Sequence, residues 1–377
     1  KISSEVHNGL SKAGKFFGEG YPFLTFSTVF NNYFIPKQIT DLVQSTEKEQ
    51  ESYSIRRGDV FVTRTSETSD ELGMSCVALK DYPMATYNGF TKRMRPITNR
   101  VFPEYIGYYM RLPSFRGEFR AFSTMTTRAS LRNEDLLGLE VKLPSIEIQK
   151  QIAGILSVYD DLIENNQKQI KLLEEAAQRL YKEWFVDLRF PGHENTKIVD
   201  GVPEGWKKEH IGDLIKKVTR TKQIKTAEYL PEGTFPIIDQ SRDFVAGYTN
   251  DQEAVVDMGC PVIVFGDHTR ILKYIQFPFA KGADGTQLII SNNENMPQSL
   301  LYSSLVAVDL SNYHYARHFK YLKAENILVP SREIAKEFDW YVSPMLLQIQ
   351  QLRNMENKAA EARDRLLPKL MSGEIEV

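Results

Sequence analysis

Three residues in the first half of the chain have the types and spacing of a metal-dependent nuclease site. Glu140-Val141-Lys142 has an acidic-x-Lys pattern, and Asp135 lies a few residues upstream. Such sites use carboxylates to hold a cation beside the scissile phosphate, with a lysine nearby. The corresponding segment in the second half of the chain, 326–328, reads Asn-Ile-Leu, which could not perform this chemistry. The pattern therefore favours an edge strand that leads into Pro144, and a metal-dependent nuclease is kept as the alternative.

Other catalytic patterns are missing from the sequence. It has no G-x-x-x-x-G-K-[ST] phosphate loop, no Gly-rich dinucleotide-binding turn and no Asn-Pro-Pro-aromatic motif of amino-methyltransferases. His314 and His318 have the spacing of two ligands on one helix face, but no acidic third ligand accompanies them. Cys76 and Cys260 cannot make a disulfide framework or a cysteine zinc site, and they fit a reducing cytoplasm. We therefore expect a cytoplasmic chain that binds no cofactor and no metal itself.

The net charge of −2 conceals a gradient along the chain. Residues 84–132 contain nine basic and two acidic residues, and residues 207–225 contain seven basic and two acidic residues. The segments 145–190 and 331–377 are nearly neutral and slightly acidic. Because phosphate contacts need Lys and Arg gathered on one surface, two separate basic regions favour a nucleic-acid partner. No apolar run is long enough to span a membrane.

The two nearly neutral segments are related by an internal repeat. Residues 144–150 (PSIEIQK) recur as 330–336 (PSREIAK), and Arg179-Leu180 recurs at the same offset as Arg365-Leu366. Because the offset does not change between these two matches, each copy is expected to be a continuous helix. A fainter repeat, with a larger offset, relates residues 21–24 (YPFL) to residues 235–238 (FPII). The sequence therefore predicts a variable domain followed by a helix, with both present twice.

This plan predicts a mixed α/β fold with two globular α/β domains separated by two long helices. The segment 58–63 is typical of a turn into a short strand, as is 261–265 in the second copy. Helical spacing extends from 104 to 122 and is interrupted by Pro113. The predicted bounds are 1–143 for the first domain, 144–190 for the first spacer helix, 191–329 for the second domain and 330–377 for the second spacer helix.

Both long helices carry an apolar heptad stripe that must be buried against a partner. We expect the two to form an antiparallel intramolecular coiled coil; the alternative is that each packs on its own domain. Glu356 and Arg363 interrupt the second stripe, so Met355 and Ala362 are expected to take their places. The predicted seam residues are Ile152, Leu156, Tyr159, Ile163, Asn166, Ile170, Leu173, Ala177, Leu180 and Trp184 in the first helix, and Phe338, Val342, Met345, Ile349, Leu352, Leu366 and Leu370 in the second.

The ends of the first helix resemble type I restriction-modification DNA specificity subunits. Residues 143–152 (LPSIEIQKQI) are similar to the "LPPLxEQxxI" start of the conserved helix of that family, and residues 180–192 resemble its end. Residues 202–214 are similar to the "P-x-GW…LG" opening of a target recognition domain. The shared organisation covers nearly the whole chain, and the specific motifs also include 330–371.

The resemblance implies a non-catalytic subunit with two target recognition domains, each of which reads half of a bipartite double-stranded DNA target. The paired helices would fix the gap between the halves and dock two modification subunits, which bind S-adenosylmethionine and methylate adenine. Restriction subunits would add DNA cleavage that uses ATP and Mg. By the offset of the fainter repeat, the counterpart of Trp206 would lie before Lys1, so the first recognition domain is expected to lack its opening.

Candidate DNA contacts are polar or basic residues in segments that we expect to be loops. Those of the first domain are Arg64, Lys92, Arg93, Arg95, Thr127, Arg128 and Arg132; those of the second are Arg242, His268, Arg270, Lys273, Lys281, Tyr313 and Arg317. Arginine can bracket guanine, but phosphate contact is the more common role. A coiled-coil scaffold that binds proteins and ignores DNA is a further alternative, beside the nuclease that would use Asp135, Glu140 and Lys142.

Overall fold

The computed structural model describes residues 3–66, 72–96, 99–122, 124–125, 129–216, 218, 222–282, 284–313 and 317–377. The chain divides into two compact units: unit 1 comprises Lys1–Ile163 and Lys358–Val377, and unit 2 comprises Glu164–Asn357. Both units contain sheets and helices, which confirms the mixed α/β fold class. The four predicted segments stay a prediction, since each compact unit takes one part of each long helix.

Unit 1 is built on short strands packed against short helices. The strands are β1 (Ser3–Asn8), β2 (Phe17–Leu24), β3 (Leu42–Val43), β4 (Val60–Thr63), β5 (Thr65–Ser66), β6 (Ser75–Val77), β7 (Thr86–Tyr87), β8 (Thr91–Pro96), β9 (Thr124–Met125) and β10 (Ala129–Ser130); the helices are α1 (Phe26–Asn31), α2 (Glu47–Ser52), α3 (Pro103–Tyr109), α4 (Pro113–Phe122), α5 (Asn133–Gly138) and α6 (Ile146–Tyr181), which continues into unit 2. The sheet orders are β1-β8-β4-β6, β3-β2-β7 and β5-β10-β9. All four residues of β4 are buried, so the strand predicted after Gly58 is confirmed and lies in the core.

Unit 2 repeats this construction of short strands and helices. Its strands are β11 (Ile198–Val199), β12 (Val202–Pro203), β13 (Lys207–His210), β14 (Phe235–Ile238), β15 (Gly247–Thr249), β16 (Val255–Val256), β17 (Val262–Gly266), β18 (Leu272–Ile275), β19 (Phe279–Lys281), β20 (Thr286–Ile289) and β21 (Asn326–Val329); its helices are α7 (Gln298–Ala307), α8 (His318–Ala324) and α9 (Arg332–Ser372), which continues into unit 1. The sheet orders are β18-β17-β20, β15-β14-β19-β16, β13-β21 and β11-β12.

The fainter sequence repeat is confirmed by strand pairing inside each unit. In unit 1, β2 pairs in parallel with β7, and Phe23 lies opposite Thr86. In unit 2, β14 pairs in parallel with β19, and Ile237 lies opposite Ala280. Phe23 and Ile237 are the equivalent third positions of the two repeated segments. The antiparallel order β6-β4-β8 likewise corresponds to β18-β17-β20, so both units share one strand frame.

The two long helices pair antiparallel in each unit, which confirms the predicted coiled coil. In unit 1, Asp160 of α6 binds Arg363 of α9. In unit 2, Glu174 of α6 binds Arg353 of α9, at 2.9 Å between Oε1 and Nη2. Just past the end of α6 in unit 2, Trp184 packs against Phe338 of α9, so later positions along the first helix meet earlier positions in α9. Across the described ranges of the chain, no helix is both long and apolar enough to cross a membrane.

The predicted seam residues, all of which the structure describes, are buried or half-buried. One expectation about the second stripe is wrong. Met355 does not replace Glu356, because the Met355 side chain is 47% exposed whereas Glu356 is half-buried. Arg363 also stays on the seam, since Asp160 neutralises it and its guanidinium lies 4.6 Å from the centre of the Tyr33 ring. A polar residue can therefore remain in the stripe where a partner is available.

The predicted edge strand before Pro144 is not formed. Residues 139–145 have no regular secondary structure, and Glu140 and Lys142 are exposed. The equivalent segment of unit 2 is β21, which is held as a strand by antiparallel pairing with β13. Among the described residues, no strand pairs with residues 140–143. A short segment without a partner for its backbone groups gains nothing from the strand conformation.

Candidate nucleic-acid interface

Three loops of unit 2 are joined by hydrogen bonds where their strands end. Gln240, just after β14, donates from Nε2 to the Asp284 carbonyl at 2.9 Å and accepts at Oε1 from the His268 amide at 3.1 Å. The Gln240 carbonyl accepts from the Thr269 hydroxyl at 2.7 Å. The Asp267 amide also donates to the Gly285 carbonyl at 2.7 Å. These bonds fix the loop after β14, the β17–β18 turn and the β19–β20 loop as one platform, which we call the reading platform (residues 239–243, 266–271 and 284–285).

Two glycines allow the three loops to approach one another. A Cβ at Gly266 would lie 2.2 Å from Thr269 Oγ1 and 2.9 Å from Gln240 Cβ. Gly285 has a φ of +85°, and a Cβ there would lie 2.8 Å from Gln240 Nε2. A side chain at either position would push the loops apart. The sequence requirement for these glycines thus follows from the close packing of the platform.

The platform presents the exposed candidate DNA contacts of unit 2. Arg242, His268 and Arg270 are exposed on its loops. Arg270 adopts a φ of +62° and donates from Nη1 to the Leu310 carbonyl at 3.0 Å. Arg317 is exposed at the N-cap of α8, whose start is fixed by Asp267: the Asp267 carboxylate accepts from the Phe319 amide at 2.8 Å. The platform and the start of α8 therefore carry several exposed cationic side chains on a backbone that is fixed by hydrogen bonds.

The other three candidates of unit 2 are buried or half-buried. The expectation that Lys273 and Lys281 lie in loops is wrong, because they belong to β18 and β19. Lys273 is only 4% exposed, and its Nζ donates to the Asp243 carbonyl. Tyr313 is half-buried, stacks on Tyr321 with 4.2 Å between ring centres, and donates its hydroxyl to Glu325. Lys273 thus supports a platform loop from within, and contact of any of the three side chains with DNA stays a prediction.

We expect Lys273 to make the stability of unit 2 depend on pH. Burial lowers the pKa of the Lys273 ammonium to about 8, although Asp239 lies 3.9 Å away. Between that pH and the ordinary lysine pKa of about 10.4, the folded state binds fewer protons than the unfolded state, so this group adds stability as the pH rises. Relative to Lys273→Met, the free energy of unfolding of the wild-type chain should rise by roughly 1 kcal/mol per pH unit in this window. Urea titrations at several pH values measure the free energy of unfolding of both proteins. If that free energy changed with pH in the same way in the wild type and in Lys273→Met, the prediction would be contradicted.

Three basic candidates of unit 1 lie in a strand and not in a loop. Lys92, Arg93 and Arg95 were expected in loops, but they lie on β8. Arg95 makes two hydrogen bonds of 2.7 Å to the fully buried Asp59 carboxylate. Arg93 donates to the Ser54 carbonyl at 2.6 Å, and Lys92 donates to the Asn133 side chain. Because all three are held by the protein itself, the structure gives them a role in the core, and any DNA contact stays a prediction.

The remaining candidates of unit 1 are divided between core, surface and undescribed segments. Arg64 is half-buried beside Lys92, and its charge adds to burial in lowering the pKa of Lys92. Arg132 is exposed at the N-cap of α5, where it binds Asp135 at 3.0 Å. Thr127 and Arg128 lie outside the described residues. Among the predicted contacts in the described part of unit 1, Arg132 is thus the exposed one, with a side chain that is 62% exposed and paired with Asp135.

Sequence reasoning missed the polar residues that follow the buried strands. Asp267 comes directly after β17, and Gln240 lies two residues after the end of β14; a polar residue at the end of an apolar strand was the available signal. Unit 1 has a comparable loop between β7 and β8: the Asn88 side chain accepts from the Phe90 amide at 2.7 Å, and the Phe90 side chain is 54% exposed. This loop occupies the same place in the shared strand frame as the β19–β20 loop of unit 2.

The residues of the nuclease alternative do not form a cation site. The Asp135 carboxylate is bound by the Arg132 guanidinium, whose hydrogen bond lowers the pKa of that carboxyl. Glu140 and Lys142 lie in an irregular, exposed segment. His318 is buried, and His314 lies outside the described residues. In the described part of the chain, no three His, Cys, Asp or Glu side chains are grouped to hold a metal ion.

Comparisons with known proteins agree on one family. The family model described as type I restriction modification DNA specificity domain matches residues 8–175. The type I restriction enzyme MjaIX specificity subunit of Methanocaldococcus jannaschii is 26% identical over 357 residues, covering 88% of this chain and 82% of that protein. The EcoR124I/EcoR124II specificity subunit of Escherichia coli is 29% identical over 101 residues, covering 26% of this chain and 24% of the relative. The crystal structure of the type I restriction-modification S subunit from M. genitalium shares the fold, with a TM-score of 0.54 and 15% identity over 97% of this chain and 93% of that chain.

Proposed function

Because the chain belongs to the family of type I restriction-modification DNA specificity subunits, we propose that each of its two units reads one half of a bipartite double-stranded DNA target. The observation that carries this proposal is the strand frame present in both units. In each, a parallel strand pair and an antiparallel trio end in loops that differ in sequence. A constant frame with variable loops can present different base-reading side chains without a change of fold.

The reading platform and the adjoining start of α8 supply the chemistry that such recognition needs in unit 2. Arg242, Arg270 and Arg317 offer charged donors to phosphate oxygens, and an arginine can also bind guanine by two hydrogen bonds in the major groove. His268 can donate or accept at a base edge. Exposed carboxylates at Asp243 and Asp284 lie on the same loops, so the surface carries both donors and acceptors rather than a uniform positive charge.

We further propose that α6 and α9 dock two modification subunits, which bind S-adenosylmethionine and methylate adenine, and that restriction subunits join this complex to cleave DNA with ATP and Mg. Exposed apolar side chains on the outer faces of the helices support docking. On α9, Trp340 is 70% exposed and Leu347 is 49% exposed. On α6, Leu172 is 63% exposed. In this arrangement the chain supplies sequence recognition and its partners supply the chemistry.

The salt dependence of DNA binding by the complex with modification subunits tests DNA recognition by the platform and the start of α8. Each phosphate contact contributes about 0.9 to the slope of log affinity against log salt concentration. The double variant Arg242→Ala/Arg317→Ala should therefore bind the target more weakly and lower that slope by up to about 2. Arg179→Ala is the matched control, because Arg179 is exposed on α6 and pairs only with Glu175 among the contacts seen for it. Equal slopes for the wild-type complex and the double variant would contradict this role, and a wild-type complex without salt-dependent DNA affinity would favour the scaffold alternative.

Segment exchange tests the bipartite reading. Replacing residues 202–330 by the corresponding segment of a relative with another target should change one half of the methylated sequence and leave the other half unchanged. Sequencing of methylated adenines in genomic DNA measures the outcome. An unchanged target would contradict the proposal, because the exchanged segment contains the whole reading platform.

A further inference from the structure

We propose that Gln240 is the residue that positions the reading platform of unit 2, and so determines how well that unit discriminates its half-site. This inference rests on the proposed function. Gln240 does not need to touch DNA in this role. It acts through the loops that carry His268 and Arg270, because it is hydrogen-bonded to both of the loops that lie beside its own.

The bonds of Gln240 connect segments that are distant in the sequence. Its side chain accepts a hydrogen bond from the His268 amide and donates one to the Asp284 carbonyl. Its backbone carbonyl accepts a hydrogen bond from the Thr269 hydroxyl. The β17–β18 turn is closed independently by the Arg270 amide, which donates to the Gly266 carbonyl at 2.8 Å. The turn is therefore a rigid piece. It is tied to the loops beside it by Gln240 and by the bond from Asp267 to Gly285, and on its other side it is bound through Asp267 to α8 and through Arg270 to the Leu310 carbonyl.

Placement of this turn sets the direction of two exposed side chains. His268 and Arg270 flank Thr269, whose hydroxyl is held by Gln240. Base-edge hydrogen bonds require donors and acceptors held within a few tenths of an ångström, whereas phosphate attraction tolerates movement. Loss of Gln240 should thus reduce discrimination between correct and incorrect sequences much more than it reduces general affinity for DNA.

Unit 1 does not use the same device. At the offset of the fainter repeat, the counterpart of Gln240 is Phe26, the first residue of α1. The loops of unit 1 must therefore be placed by other contacts, and Gln240→Ala should leave recognition of the half-site read by unit 1 intact. This gives the experiment an internal reference within the same complex.

A matched control exists in unit 2. Gln298, at the start of α7, makes the same pair of bonds at the opposite end of β20: it donates from Nε2 to the Ile289 carbonyl at 2.8 Å and accepts at Oε1 from the Ser291 amide at 3.0 Å. Gln298→Ala removes an equivalent pair of loop hydrogen bonds away from the platform. If Gln240 only stabilised the fold, Gln240→Ala and Gln298→Ala would have the same effect on discrimination between DNA sequences.

The experiment uses the complex of the full chain with its modification subunits. The target is first found by mapping the adenines that the wild-type complex methylates. Affinity is then measured for a duplex with this target, for duplexes with one base pair changed in either half-site, and for an unrelated duplex. We expect Gln240→Ala to lose about tenfold in discrimination at the half-site of unit 2, with the unit 1 half-site and the unrelated duplex unchanged. Gln298→Ala should discriminate like the wild type.

Two further variants keep the inference falsifiable if Gln240→Ala does not fold. Thr269→Val removes the hydroxyl that donates to the Gln240 carbonyl, and should lose discrimination in the same direction but to a smaller extent. Gln240→Glu retains the acceptor for the His268 amide and loses the donor to the Asp284 carbonyl, so it should give an intermediate result. Wild-type discrimination in folded Gln240→Ala or in both of these variants overturns the inference while the proposed function stands. A wild-type complex that fails to discriminate overturns both.

Discussion

Replacing Asp160 by alanine is expected to lower the free energy of unfolding of unit 1 by about 3 kcal/mol. Asp160 accepts hydrogen bonds from the Arg363 guanidinium and from the Tyr108 hydroxyl. Tyr108 is fully buried, and the Arg363 side chain is only 12% exposed. The substitution leaves the Tyr108 hydroxyl without this acceptor and leaves Arg363 with Asp364 as its remaining carboxylate partner. Urea unfolding of the full chain, followed by circular dichroism and by amide exchange of unit 1 peptides, measures the loss.

Glu174→Ala is the matched control for this prediction. Glu174 forms the corresponding helix-to-helix ion pair of unit 2 with Arg353, but its side chain is 48% exposed. Solvent screens such a pair, so its loss should cost less than about 1 kcal/mol. In the Asp160→Ala background, Tyr108→Phe should be nearly neutral, because the buried hydroxyl has already lost its acceptor. Equal losses for Asp160→Ala and Glu174→Ala would contradict the view that burial makes the first pair important.

Features that depend on local spacing could be predicted from the sequence. The heptad stripes of α6 and α9 follow from a repeat of three and four residues, since neighbours on one helix face are close in the sequence. The repeat that relates residues 21–24 to residues 235–238 was also visible in the sequence, because β2 and β14 have the same apolar pattern. These two strands form equivalent parallel pairs, Phe23 with Thr86 and Ile237 with Ala280. Repetition at a fixed offset therefore identified the elements and their order.

Features that depend on distant partners could not be predicted. Lys92, Arg93 and Arg95 form a basic run that is typical of an exposed surface. Arg95 is nevertheless held in the core by Asp59, 36 residues away. The ties of Gln240 to His268 and Asp284 span 28 and 44 residues. No spacing rule relates such residues, because the sheets and not the local chain bring them together. Charge pattern thus located the basic regions but did not separate cations that support the loops from cations that face the solvent.

The aromatic cluster where α6 ends gives the second large effect. Phe338 is fully buried near the start of α9, and its ring lies 5.2 Å from Phe185, 5.8 Å from Trp184 and 6.3 Å from Tyr181 between ring centres. Truncation removes a large apolar side chain and leaves a cavity that three rigid rings cannot close. Phe338→Ala should therefore lower the free energy of unfolding of unit 2 by about 3–5 kcal/mol. All three tryptophans of the chain lie in unit 2, so their fluorescence in a urea titration measures this loss.

Trp340→Ala separates this packing effect from the proposed docking surface. Trp340 lies two residues beyond Phe338 on α9, but it is 70% exposed. Its removal should change the stability by no more than about 0.5 kcal/mol, because little apolar surface is returned to water. If the outer face of α9 docks a modification subunit, the same variant should bind that subunit more weakly while unit 2 stays folded. Under conditions in which Phe338→Ala remains folded, this variant should bind the modification subunit as the wild type does. A large loss of stability in Trp340→Ala, or a small one in Phe338→Ala, would contradict the assignment of Phe338 to the core and of Trp340 to the surface.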